Sequence, residues 1–111
     1  MEDSILTSIK LSLGLTEEMT AFDPQLILHI NSVFMILNQL GVGPEKPFMI
    51  TDADSTWSEF IPDGEMESVK TYMSLQVKNL FDPPSNSFVL DANKRMIEEL
   101  EWRMNVKASE S

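Results

Sequence analysis

Apolar residues return at three- and four-residue intervals over four stretches of the chain, each bounded by a residue that starts or stops a helix. Ile5, Leu6, Ile9 and Leu13 share one face of a first helix, which Asp3 or Ser4 can cap and Gly14 can end in the left-handed conformation. Thr16 to Ala21 reads as a connector. Asp23-Pro24 starts a second helix, with the cap at Asp23 and proline at the first helical position, expected to run to about Leu40 and stop at Gly41. Its apolar set (Leu26, Ile27, Ile30, Val33, Phe34, Ile36, Leu37, Leu40) covers well over half the circumference. Such a helix is either the central element of the core, the favoured reading, or buried in part against another chain. A third long helix is predicted from about Glu65 to Phe81, with Met66, Val69, Tyr72, Met73, Val77 and Leu80 inward. The last starts from a cap at Ser87 and ends near Asn105, on an inner stripe of Leu90, Ile97, Leu100 and Met104.

Between the second and third helices the periodicity fails. Gly41, Gly43, Pro44 and Pro47 make a loop, and Pro47 to Thr51 has extended character without an obvious strand partner in the chain. A lone strand leaves backbone groups unpaired, so this segment either invites a neighbouring subunit or stays irregular. Thr56-Trp57-Ser58-Glu59 has the spacing of a capping box before a short helical turn through Phe60. The expected fold is all-α: a small bundle of four to five helices with an irregular loop or short strand around residues 41–55. Residues 1–105 form one domain in this reading, and 106–111 a disordered tail.

The sharpest punctuation lies at Phe81-Asp82-Pro83-Pro84. Neither proline can donate a backbone N–H, and each disfavours the α region for the residue before it. The third helix must end near Phe81, and a stiff extended elbow then fixes the angle to the last helix. That geometry matters more to an assembly part than to a catalyst.

Charge narrows the function further. Eighteen acids against eight bases give −10. Residues 1–44 carry five acids against Lys10, residues 45–67 carry seven against Lys46, and residues 68–111 carry six of each sign. A chain of this balance is repelled by nucleic-acid phosphates; as a bland surface, the excess simply keeps it in solution. No apolar run approaches the ~20 residues that span a bilayer. Met1-Glu2-Asp3-Ser4 lacks the basic start of a signal peptide, and the absence of cysteine excludes a disulfide framework and thiolate metal sites. A soluble protein folded in a reducing cytoplasm is expected.

Residues for chemistry are few. His29 is the single histidine, placed mid-helix with no catalytic partner at a useful spacing. Phosphate loops and nucleophile elbows are missing. Asp52, Asp54, Glu59 and Asp63 could gather as oxygen ligands, but not at EF-hand spacing. No catalytic residue, cofactor or metal is therefore assigned. On the last helix Asp91, Arg95, Glu99 and Arg103 alternate in sign every four residues, each acid-before-base pair contributing roughly 0.2–0.5 kcal/mol. The ladder is either a solvated face that stabilises the helix or a charged face offered to a neighbouring subunit. Trp102 lies off the inner stripe and so packs on another element or another chain. The eight methionines suit a core or an adaptable contact surface, the core being the simpler reading.

Phe81-Asp82-Pro83-Pro84, the Ser/Asn turn after it, the apolar Phe88-Val89-Leu90 and then Glu98, Leu100, Glu101, Trp102 and Arg103 together resemble the C-terminal half of head–tail connector (adaptor) proteins of long-tailed bacteriophages and prophages. The short first helix, the Asp23-Pro24 start and Tyr72 ahead of Val77 are similar to that pattern, so the resemblance covers most of residues 4–105. It implies a non-enzymatic virion protein, present in the host cytoplasm before assembly. About a dozen copies in the family form a ring beneath the portal, extend the DNA channel and dock the next head-closure or tail component. Under this resemblance the elbow residues are structural, and Asp91, Arg95, Glu99, Trp102 and Arg103 are candidate subunit or partner contacts. Asp52, Asp54, Glu59 and Asp63 are candidates for a channel wall or partner face, past which DNA slides without specific binding.

Two rivals use the same features. An acidic DNA mimic that inhibits a nucleic-acid enzyme would want acids along its long helices, yet the second helix has none after Asp23 and the last two are balanced. A metal-dependent hydrolase would have only the acids near residues 52–63 to build on.

Overall fold

In the computed structural model, which describes residues 4–61 and 66–110, five helices follow one another: α1 (Ile5–Ser12), α2 (Asp23–Gln39), α3 (Trp57–Phe60), α4 (Met66–Phe81) and α5 (Ser87–Glu110). Among these residues there is no strand, only an isolated bridge between Ser4 and Thr56, and the fold is all-α as the periodicity predicts. Leu26, Ile30, Val33, Phe34 and Leu37 bury the inner face of α2 against Ile5, Leu6 and Ile9 of α1, Val69, Met73 and Val77 of α4, and the Trp57–Ile61 segment. Phe34 gathers the aromatic residues, with ring centroids 5.1 Å from Phe48, 4.7 Å from Phe60 and 6.4 Å from Trp57. α2 is therefore the central helix, as favoured, but not on all sides.

α4 and α5 form an antiparallel hairpin. Tyr72 Oη donates to Glu101 at 2.7 Å, and Asn93 Nδ2 donates to Asn79 Oδ1 at 3.4 Å. A step of seven residues back along α4 thus matches eight forward along α5. Ile97 and Met104 bury the inner stripe of α5, with Leu90 and Leu100 half-buried beside them.

Several local expectations change. Ser4 caps α1, its Oγ accepting from Thr7 N–H at 3.3 Å while donating to Ala53 O at 2.7 Å. Asp23 does not cap α2. Phe22 occupies that position, and the Asp23 carboxylate lies 3.0 Å from Lys10 Nζ. Asn86, not Ser87, caps α5, accepting from Phe88 N–H at 2.8 Å and Val89 N–H at 3.3 Å. Thr56 precedes α3, but its hydroxyl bonds Glu59 Oε2 at 3.3 Å and not the backbone, so the capping box is not closed. Leu80 is half exposed and not inward. The Met66 side chain lies outside the described residues. The last helix passes Asn105 and continues through Glu110, so residues 106–110 are helical and not a disordered tail. Val106-Lys107-Ala108-Ser109-Glu110 holds no helix breaker, and Lys107 suits a helix C-terminus.

The loop from 41 to 55 is irregular, and its extended part has found a partner of another kind. The Asn31 side chain accepts from Ile50 N–H at 2.8 Å and donates to Ile50 O at 3.0 Å, reproducing the paired bonds of a neighbouring strand. Seven residues on, along the same face of α2, Asn38 Nδ2 donates to Glu45 O at 3.1 Å and Pro44 O at 3.4 Å. At Gly43, φ is +89° and a Cβ would stand 2.5 Å from the Phe60 ring, so glycine is required there twice over.

Candidate assembly surfaces

The elbow is built as the two prolines dictate. The last α4-type bond runs from Asp82 N–H to Lys78 O at 2.8 Å, after which Asp82, Pro83, Pro84 and Ser85 are extended or bent. Phe81, ending α4, stacks edge-on against Phe22 with centroids 5.2 Å apart, so the elbow is tied to the start of α2. An open depression lined by Lys78, Asp82, Pro83, Pro84, Ser85, Asn86 and Val89 lies on its outer side. Pro84 is half-buried, while Asp82 and Pro83 are exposed.

Beyond the elbow, α5 turns a long face outward. Asp91, Arg95, Glu99, Trp102 and Arg103 are all exposed. Glu99 and Arg103 pair at 3.0 Å, whereas among the described residues Asp91 and Arg95 do not pair with each other. Trp102 is 67% exposed, so most of its indole is open to solvent. Phe88 is 85% exposed, and Met96 and Val106 are open to solvent on the same side. The exposure of Phe88 had one sequence signal, its fourteen-residue spacing from Trp102, which returns a helix close to the same direction.

The middle segment carries the acids on its surface. Asp52, Asp54 and Glu59 are exposed, and Asp52 Oδ1 accepts from Asp54 N–H at 2.9 Å in a local turn. Asp63 lies outside the described residues. Among the described residues no three His, Cys, Asp or Glu side chains stand close enough to hold a metal ion. His29 is half-buried on α2, its Nε2 without a hydrogen-bond partner.

Two buried polar contacts were not legible in advance. Lys10 is 3% exposed; it bonds Glu17 O at 3.0 Å and forms its ion pair with Asp23, joining α1, the connector and α2. Tyr72 donates to Glu101 and accepts from Gln76 at 3.0 Å. Burial first, and then the Glu101 carboxylate, hold its hydroxyl pKa well above the usual tyrosine range. Of the six methionines whose side chains are described, Met73 and Met104 are in the core, while Met19, Met35, Met49 and Met96 are exposed. The core reading of methionine therefore fails for most of them.

No curated protein and no solved structure matches the chain. Residues 5–111, nearly its whole length, match the family described as phage connector protein. The match takes in the helical hairpin, the elbow and the exposed α5 face together, and the chain belongs to the phage connector protein family, a family of structural proteins of the phage particle.

Proposed function

We propose that this chain is one subunit of a ring set between the portal and the head-closure or tail proteins, prolonging the channel through which the genome passes. The outer face of α5 carries the reading. Phe88 and Trp102 stand in solvent on a helix whose other side is core, in a member of a connector family. Aromatic side chains of this size bury ~150–250 Å² each in a contact and dominate its energetics. Asp91, Arg95, Glu99 and Arg103 lie on the same face, interleaved with the two aromatic residues, and their alternating charge orients a partner. The elbow sets the angle at which the face is offered. Asp52, Asp54 and Glu59, with Asp63, form the wall or partner face where like charge lets DNA slide without sticking.

Deletion of the gene from its phage tests the reading. The expected product is filled heads without tails, restored by the gene supplied in trans. Normal infectious yield from the deletion refutes it. Stoichiometric recovery of the chain with a host nuclease or polymerase would instead establish the DNA-mimic role.

A further inference from the structure

Two helix faces are left uncovered by the described residues, and they differ in kind. On α2, Gln25, Leu28, Ser32, Met35 and Gln39 follow at helical spacing on the side away from the core. Leu28 and Met35 are 66% and 55% exposed, and no Asp, Glu, Lys or Arg occurs from Pro24 to Pro44. Wetted helix faces ordinarily carry charge, whereas loss of charge with methionine present is the composition of an interface centre. On α5, Phe88, Met96, Trp102 and Arg95 supply the aromatic, methionine and arginine side chains enriched in such centres.

The two faces match in length. Gln25 to Gln39 and Phe88 to Trp102 each cover about four turns, ~21 Å. They also sit on different sides of α4. Tyr72 and Asn79 hold α5 along one edge of that helix, while Val77 and Phe81 face the α2 side. A contact between two unlike faces of one molecule is heterologous and repeats from copy to copy.

Charge selects a second copy as the occupant. Each chain carries −10, so copies that meet through the acidic residues 45–67 repel one another. Residues 24–44 carry no formal charge and residues 68–111 carry six of each sign. These are the segments that can meet their own kind without bringing the excess charge together. A basic partner would be drawn to the acidic stretch instead.

We infer that successive copies of this chain meet head to tail, the outer face of α5 on one copy seating on the uncharged α2 stripe of the next. The inference rests on the ring reading above and names its contact. Because the chain has no cysteine, single cysteines can be introduced without background. Met35→Cys and Trp102→Cys are made separately and together in the full chain, with Asp54→Cys as a control on the acidic stretch. Each is treated with a short bis-maleimide, both as concentrated purified protein and in particles from a deletion strain complemented by the variant. The two single variants mixed should give a cross-linked dimer, and the double variant a ladder of multimers. Neither single variant should cross-link to itself, and the control should not join to either. Self-cross-linking equal to the mixed product, or no mixed product in either preparation, overturns the inference. Particles that contain the chain but yield no 35–102 product remove this contact and leave the connector role standing. Parent-phage particles that lack the chain dispose of the connector role, and the purified protein then decides the contact alone.

Discussion

Replacing Asn31 with alanine removes both hydrogen bonds that hold Ile50 and leaves the peptide N–H and C=O of a nearly fully buried residue without their partner. A typical intramolecular hydrogen bond contributes about 0.5–1.5 kcal/mol net, and an orphaned buried group costs ~1–3 kcal/mol. Asn31 is half-buried, so water reaches part of the vacated site and the lower end applies to each group. The two together give about 2–3 kcal/mol. A loss of that size should lower the urea midpoint by about 0.7–3 M at an m-value of ~1–3 kcal/mol/M. Asn31→Asp sharpens the test, since a carboxylate can still accept from Ile50 N–H but repels Ile50 O. It should recover part of the loss and no more. Amide exchange at Ile50 gives a local reading, with protection falling in the alanine variant further than at core amides of α4. A stability within ~0.5 kcal/mol of the parent, with Ile50 protection unchanged, would refute the view that one asparagine stands in for a strand.

Asp23→Asn leaves Lys10 buried without its counter-charge. Breaking a buried pair costs ~3–5 kcal/mol, and because Asp23 is about a quarter exposed the expected loss is nearer 2 kcal/mol, recovered in part by adding Lys10→Met and checked by denaturant melts. Tyr72 is the single tyrosine, so tyrosinate absorbance reports it alone. Its folded pKa is raised, so its contribution is whole below the unfolded value near 10 and is lost as pH climbs towards the folded value. Absorbance should therefore appear well above pH 10 and together with unfolding, and an ordinary titration near 10 in folded protein would contradict the Tyr72–Glu101 bond. Pro83→Ala with Pro84→Ala should keep helix content by circular dichroism yet impair particle assembly, and unimpaired assembly would show that the elbow does not set the angle of α5.

Where the helices lie was legible because their boundaries are local chemistry. Asp23-Pro24 begins α2 and Pro83-Pro84 ends α4 at Phe81, whatever surrounds them. The partners of polar side chains were not legible, because they are decided across the fold. Asp23 looks like a cap in sequence, yet the only cation of the first 44 residues, Lys10, draws its carboxylate instead. Asn31 lies among apolar neighbours, and only the loop folded back over α2 shows why an amide is needed there. The apolar set read from periodicity leaves out Leu28 and Met35, and both are exposed, but periodicity does not show what else would cover that side of α2. The outward face of α5 was legible because the alternating charge of Asp91, Arg95, Glu99 and Arg103 runs opposite to the inner stripe, and all four are exposed.

The chain holds two tryptophans in opposite settings. Trp57 is fully buried, its indole N–H donating to Ser8 Oγ at 2.8 Å, while Trp102 stands in water. Their fluorescence therefore separates two events that a single probe would mix. Emission from Trp57 shifts to the red when the core opens and is indifferent to neighbours. Emission from Trp102 is already red in the lone chain and shifts to the blue only when something covers α5. With Trp102→Phe as the folding reference, the difference spectrum becomes an optical record of assembly, obtained without attaching any label.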